Sequence, residues 1–364
     1  MSPLSLTGYG SLDALSPSAR DLFTGPGSAG LFTSLPWLES FVAAALPRTA
    51  SPLFLVLADQ SGAALAALPC QRLSENGDRG PGDATVASLT SFYSCDFRPL
   101  LATSADPGAT GFALGRAVAR NLAAEPVVRF DSLDIASPGV EPFLSGLARP
   151  GRAILRYAHF GRWWENLDGS TFAGYLAGRD GALRETIRRK GARLDRAGAA
   201  PCMIGLTGRT GPDEIARGIA DYEAVYAASW KEPEPFPDFQ PFLMRRLAEA
   251  GWLRLALLRI GDKPIAAQLW VVVNRRATVL KLAHDSAFDS LSPGTVLTAY
   301  AIRTLMETDR IGQLDFGRGD DPYKRAWTSN RTAHIGALWT SIVRRPALMA
   351  RHVLGSVKRR LPDA

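Results

Sequence analysis

Two short stretches of the chain hold the side chains best equipped to move a proton. One is His284-Asp285, at the end of an apolar run. The other is Asp320-Asp321-Pro322-Tyr323-Lys324, just after Gly317 and Gly319. An imidazole titrates near neutrality, so His284 suits a general base or a donor to a substrate carbonyl; a histidine bonded to a neighbouring carboxylate is the plainer alternative. Asp320 or Asp321 can bind an ammonium group or deprotonate it through water, although Asp321-Pro322 is also an ordinary turn starter. Tyr323 can protonate a leaving group and Lys324 can hold an anion. On a helix Tyr323 and Trp327 share a face, with Trp327 as core or pocket wall, so Lys324 and Arg325 point elsewhere. Strand alternation places His284 with Leu280 and Leu282, and Lys281 on the opposite face with Val279 and Ala283. A lysine there either reaches an anion or lies on a solvated face.

A second group of residues suits anion binding. Pro293-Gly294 opens an apolar helix of about four turns, and Ser292, Gly294 and Thr295 stand at its start. A helix start offers backbone N–H groups and a positive dipole end, which suits a pyrophosphate. The basic run at 178–198 reads as a helix with Arg184, Arg188 and, near them, Lys190 and Arg193 on one face; Arg184, Arg188 and Arg189 form a phosphate clamp or a solvated surface.

The elements that must position these groups are a strand over Thr278–Ala283, the helix after Pro293 and a strand over Gln313–Phe316. The same order occurs earlier in the chain. The hairpin pattern of 52–73 corresponds to 252–273, the segment 88–101 to 279–292, the helix Thr110–Ala124 to Gly294–Thr308, and the strand 127–135 to 312–320. The predicted organisation is two α/β halves with mixed sheets, residues 1–160 and 165–345, followed by a basic amphipathic helix over 346–364. In the first half Ser91–Asp96 stands where His284-Asp285 stands in the second, and no Tyr-Lys pair follows Asp134. The first copy therefore reads as degenerate, helping to form an acceptor cleft.

Composition narrows the class. A chain of 364 residues, 46% hydrophobic and 21% charged, is an ordinary globular sequence with material for two cores. A net charge of +7 favours anionic partners. The three cysteines are far apart and suggest neither a disulfide framework nor a zinc site. The start has neither the basic nor the apolar region of a signal peptide, and no apolar run approaches the ~20 residues of a membrane span. A serine nucleophile elbow, metal-ligand histidine spacing and a Walker-type loop are all lacking, so serine hydrolysis and metal catalysis are not expected.

The runs LAHDSAFDSLSPGTVL and LDFGRGDDPYKRAW resemble the GNAT-type acyltransferase domain of the CelD-like group, distant relatives of the Fem-type aminoacyltransferases. The resemblance covers roughly 175–330, and a tandem of two GNAT-like halves accounts for nearly the whole chain. It implies an N-acyltransferase with acyl-CoA as cosubstrate and no metal. His284, Asp320, Tyr323 and Lys324 would be the catalytic residues; Ser292, Gly294, Thr295, Arg184 and Arg188 would bind the donor. The group includes bacterial ceramide synthases, so a sphingoid-type lipid amine is the expected acceptor, with an amino sugar of surface polysaccharide second. The expected setting is the cytoplasm, with the basic tail against the inner membrane surface. The rival expectations are a Fem-type transferase using aminoacyl-tRNA and a non-catalytic scaffold in envelope synthesis.

Overall fold

The computed structural model describes residues 4–24, 30–75, 77–80, 83–206 and 210–342. The expected helix over 346–364 lies outside them. The described chain divides into two compact units. The first takes the chain up to Val42, Leu46–Phe160 and the part from Ala333 on; the second takes Gly161–Thr332 with Ala43–Ala45.

The first unit contains β1 (Ser5–Tyr9), α1 (Pro17–Thr24), most of α2 (Leu35–Ala44), β2 (Ala50–Ala58), β3 (Ala64–Leu73), β4 (Val86–Ser88), β5 (Leu100–Leu101), α3 (Pro107–Asn121), β6 (Val127–Leu133) and α4 (Val140–Gly146). The long β7 (Arg152–Asn166) begins in it and ends in the second unit. The second unit continues with α5 (Phe172–Ala177), α6 (Gly181–Arg196), β8 (Ala199–Ile204), α7 (Pro212–Ala227), α8 (Phe239–Glu249), β9 (Leu253–Ile260), β10 (Lys263–Val273), β11 (Arg276–His284), α9 (Pro293–Thr308), β12 (Gln313–Arg318) and α10 (Pro322–Trp327). The chain returns to the first unit within β13 (Asn330–Ser341).

The strand order follows one plan in both units: β1-β2-β3-β4-β6-β13 in the first and β8-β9-β10-β11-β12-β7 in the second. Neighbours are antiparallel except for one parallel pair in each, β4 with β6 and β11 with β12. The parallel pair is bridged by a helix, α3 in one unit and α9 in the other, as a parallel crossover requires. The repeated order read from sequence is therefore a repeated topology. The closing strands depart from chain order: β13, last in sequence, flanks β6, while β7, which follows the first half, flanks β12.

Each unit has its own core. In the first, Phe97, Phe130, Phe143, Leu114 and Trp339 cluster between sheet and helices. Gly111, Gly115 and Gly146 let α3 and α4 touch backbone to backbone; a Cβ at Gly115 would lie 2.1 Å from the Phe143 carbonyl oxygen. In the second, Trp270, Phe316, Trp327, Leu297 and Ile302 pack together, and α6 adds Leu183, Ile187 and Leu194.

Candidate active site

The site of the second unit begins where its parallel pair ends. β11 and β12 are paired only over Arg276–Thr278 and Gln313–Asp315. Beyond that the ladder stops, although β11 continues to His284 and β12 to Arg318. A buried charge cluster holds the vertex of this wedge. Arg162 donates to the Asp315 carboxylate, with Nε to Oδ2 at 3.0 Å; the Gly317 amide donates to its other oxygen at 2.9 Å, and Thr278 Oγ1 lies at 3.4 Å. Burial alone would raise the Asp315 pKa. The charge and hydrogen bonds of Arg162, with Arg276 and the Gly317 amide, outweigh it and keep the carboxyl below its ordinary value.

A bulge at Leu280 resets the faces of β11. Lys281 lies opposite Leu269, but Val279 lies opposite Trp270. Val279 therefore joins Trp270 in the core beneath α9, instead of sharing a face with Lys281 as simple alternation predicts. Leu282, opposite Gln268, and His284, opposite Ala266, also face α9. Lys281 faces the α7 side, where its ammonium meets the Glu234 carboxylate, which Tyr226 of α7 also bonds at 2.6 Å. Of the two possibilities read from sequence, the lysine reaches a carboxylate.

His284 sits against the first turn of α9. Its Nε2 is 2.7 Å from Asp289 Oδ1, while Nδ1 is buried and has no hydrogen-bond partner among the described residues. In the tautomer whose Nε2–H donates to Asp289, Nδ1 carries the lone pair. A Cβ added to Gly294 would come 3.3 Å from that nitrogen. The exposed Trp230 ring covers the imidazole at 4.5 Å between centroids. The neighbouring Asp285 takes a different part: it caps the turn before α9 through the Ala287 amide and pairs with Lys263 at 2.8 Å.

Tyr323 approaches the same turn from α10. Its hydroxyl lies 2.5 Å from Thr298 Oγ1, which donates to the Gly294 carbonyl at 3.0 Å. Gln268 completes the chain, donating to Thr298 Oγ1 at 2.7 Å and to the Gly294 carbonyl at 3.0 Å while accepting from Trp270. Burial pushes the Tyr323 pKa up to about 12, with the Thr298 bond opposing it. The phenol keeps its proton through neutral pH. Tyr323 and Trp327 share one aromatic cluster with Phe316, as the four-residue spacing predicts.

The remaining sequence candidates are distributed differently. Asp320 is engaged by Arg331, at 2.6 and 2.9 Å, and by Trp163 Nε1 at 2.9 Å. The Arg331 and Trp163 hydrogen bonds hold its carboxyl far below the ordinary range, so it is a fixed anion and a poor proton acceptor at neutral pH. Asp321 caps α10 through the Lys324 amide at 3.1 Å. Lys324 directs its ammonium to the Arg318 carbonyl and lies 3.4 Å from the Asp321 carboxylate.

At the start of α9, Ser292 is in the left-handed region (φ 49°) and makes no side-chain cap. The Thr295 and Val296 amides turn back to its carbonyl, and Gly294 is buried. Arg184 and Arg188 lie on the exposed side of α6, with Arg188 bonded to Glu185 at 2.7 and 2.9 Å. Lys190, on the inward stripe Leu183-Ile187-Lys190-Leu194, instead reaches the Ser290 carbonyl in the loop before α9. Its position on that stripe is a sequence signal that points to contact. Trp230, Asp289, Glu234, Thr298 and Gln268 had no comparable signal, because each is brought in from another element or loop.

The first unit handles the equivalent place in another way. β4 and β6 pair at Val86–Ala87, and Phe97 bridges to Leu133 further along. Between them the segment 91–96 folds inward, burying Tyr93, Cys95 and Asp96. Ser88 Oγ accepts the Asp131 amide at 2.9 Å, and the start of α3 is capped by the Asp106 carboxylate. In this unit the segment 91–96 occupies the space beyond the parallel pair, and the start of α3 already faces a carboxylate.

Residues 181–325 match the Acetyltransferase (GNAT) domain family. No curated protein matches the chain by sequence. Among solved structures, the chain is similar to FemX with a TM-score of 0.60 and 10% identity, over 92% of this chain and 97% of that one. L-PGS from Bacillus licheniformis gives a TM-score of 0.53 at 11% identity, over 95% and 97%. A tandem GNAT protein from the clavulanic acid biosynthesis pathway gives 0.50 at 11%, over 92% and 98%. The fold is thus mixed α/β with two GNAT-like domains, and the GNAT match supports an acyltransferase.

Proposed function

We propose that the second unit transfers an acyl group from acyl-CoA to the amine of an envelope precursor, foremost a long-chain lipid amine, giving an amide-linked lipid. The observation that carries acyl transfer is the wedge between β11 and β12, flanked on its α9 side by His284 Nδ1, which has no partner among the described residues, and by the retained proton of Tyr323.

In this reading His284, oriented by Asp289, accepts the proton of the attacking ammonium through Nδ1. The neutral amine adds to the thioester carbonyl. A backbone N–H of bulged β11 supports the oxyanion. The carbon–sulfur bond then breaks as Tyr323 protonates the departing thiolate, and the second proton lost by the nitrogen, now part of the amide, replaces the one Tyr323 has given up. The start of α9, with Gly294, Ser292 and Thr295, receives the pyrophosphate, assisted by Lys190 in place of Arg184 and Arg188. Asp320 holds Trp163 and Arg331, and Lys324 fixes the turn at Arg318; both position the site. The lipid-amine acceptor draws on the sequence resemblance and the basic C-terminal sequence. Among the described residues no helix is long and apolar enough to cross a membrane.

The test is thermal unfolding with CoA, acetyl-CoA, a long-chain acyl-CoA and charged tRNA. A ligand at 100 times its Kd stabilises by about 2.7 kcal/mol. A larger shift with long-chain acyl-CoA than with CoA is the expected result. A shift with charged tRNA alone would replace this reading by a Fem-type one, which the FemX-like fold keeps in view.

A further inference from the structure

The loop after α7 carries a group of charges that the proposed chemistry leaves unused. Trp230 covers His284, and the Ser286 amide bonds the Ala228 carbonyl at 3.1 Å, so this loop is tied to the end of β11. The next residue, Lys231, is half-buried and lies within electrostatic range of Lys281, Glu234, Asp321 and Lys324. Lys281 belongs to β11, and Lys324 to α10 beyond β12, so Lys231 senses both sides of the wedge. Two of the three lysines have carboxylate partners, Lys281 with Glu234 and Lys324 with Asp321. The Lys231 ammonium makes no ion pair among the described residues; its contact is the Trp230 ring at 5.4 Å. Burial first, and then Lys281 and Lys324, depress its pKa against the opposing pull of Glu234 and Asp321.

The placement indicates which substrate this charge serves. The α9 start, where the donor phosphates are assigned, lies on the face of β11 that carries His284. Lys281 and Glu234 lie on the opposite face, with α7. Two of the charged groups within range of Lys231 are therefore on the face away from the assigned donor phosphates.

We propose that Lys231, framed by Trp230, Glu234, Lys281 and Lys324, receives one anionic group, a phosphate or a carboxylate, carried by the acceptor near its amine. The inference rests on the acyl-transfer reading and narrows its acceptor to amines bearing an anion.

The experiment uses the full chain and matched amines with and without the anion: sphinganine 1-phosphate against sphinganine, glucosamine 6-phosphate against glucosamine, and a β-amino acid against its amide. Turnover is followed as thiol release from acyl-CoA, and binding by calorimetry without donor. The anionic member of at least one pair should bind about tenfold or more tightly, the size of one charge-assisted hydrogen bond. Lys231→Ala should bring the ratio within that pair close to one by raising KM for the anionic member, and Lys231→Arg should retain most of it. The phosphate and carboxylate pairs distinguish the two sources. Equal binding of both members in every pair overturns the proposal, as does a preference that Lys231→Ala leaves intact. Calorimetry decides the matter even if no amine is turned over: anion preference without thiol release would keep the Lys231 site and remove the acyl-transfer reading.

Discussion

At the scale of single residues, the site depends on two proton carriers held by different partners. Nδ1 of His284 is buried with no hydrogen-bond partner among the described residues, while Nε2 is held by Asp289. Replacing His284 with Gln should lower kcat by about 10²- to 10⁴-fold, the usual range for a general base, with the unfolding midpoint little changed. Retention of full activity in a folded variant would remove His284 from the mechanism. Tyr323 titrates near 12, so it is a proton donor at every practical assay pH. Tyr323→Phe should lower kcat yet leave any alkaline limb of the pH profile below pH ~10 in place, since that limb belongs to another group. A limb that disappears with the hydroxyl would contradict this. Gly294 is a position where space rather than backbone conformation excludes a side chain. In Gly294→Ala the added methyl would press on His284 Nδ1 at 3.3 Å. A loss in kcat exceeding the loss in stability is expected, measured by steady-state kinetics alongside urea unfolding.

At the scale of elements, the wedge is a property of two strands that begin paired and then part. Asp315 and Arg162 fix the point of parting from within the core, at 0% and 7% exposure. Removing one partner of such a pair leaves a buried charge alone and costs about 3–5 kcal/mol. Asp315→Asn should show that loss at neutral pH in urea unfolding. The sign with pH follows from the depressed native pKa. The carboxylate's contribution is present above the ordinary carboxylate pKa and is lost as pH falls through the native value. The gap between wild type and Asp315→Asn should therefore narrow under acid. A gap that widened would mean that Asp315 is not held as an anion. The bulge at Leu280 acts at the same scale. One extra residue moves Val279 into the core under α9 and leaves Lys281 on the α7 side, so a single strand serves the proposed donor and acceptor faces.

At the scale of the whole molecule, the chain builds one sheet plan twice. Trp339 shows how far the first unit depends on sequence that arrives last: it comes from β13 and is fully buried among residues of β3, β6 and α3. Trp339→Ala should cost about 3–5 kcal/mol, read as earlier unfolding of the first unit by hydrogen exchange along β6; unaltered exchange there would count against this packing. By itself the sequence determined the repeat, the strand–helix–strand order, the helix start at Pro293 and the shared face of Tyr323 and Trp327. Each is a local matter of periodicity, turn residues and spacing, with its signal in neighbouring positions. Only the tertiary structure decided that β13 rather than β7 flanks β6, that Leu280 is bulged, and that Asp320 is engaged by Arg331 while Asp289 holds His284. Among the basic residues of α6, it also decided that Lys190, and not Arg184 or Arg188, makes contact with the α9 loop. These facts depend on partners far apart in the chain, as Lys281 and Glu234 are, and on register, where one residue exchanges the faces of a strand. Composition and spacing do not specify such pairings; packing the two cores does.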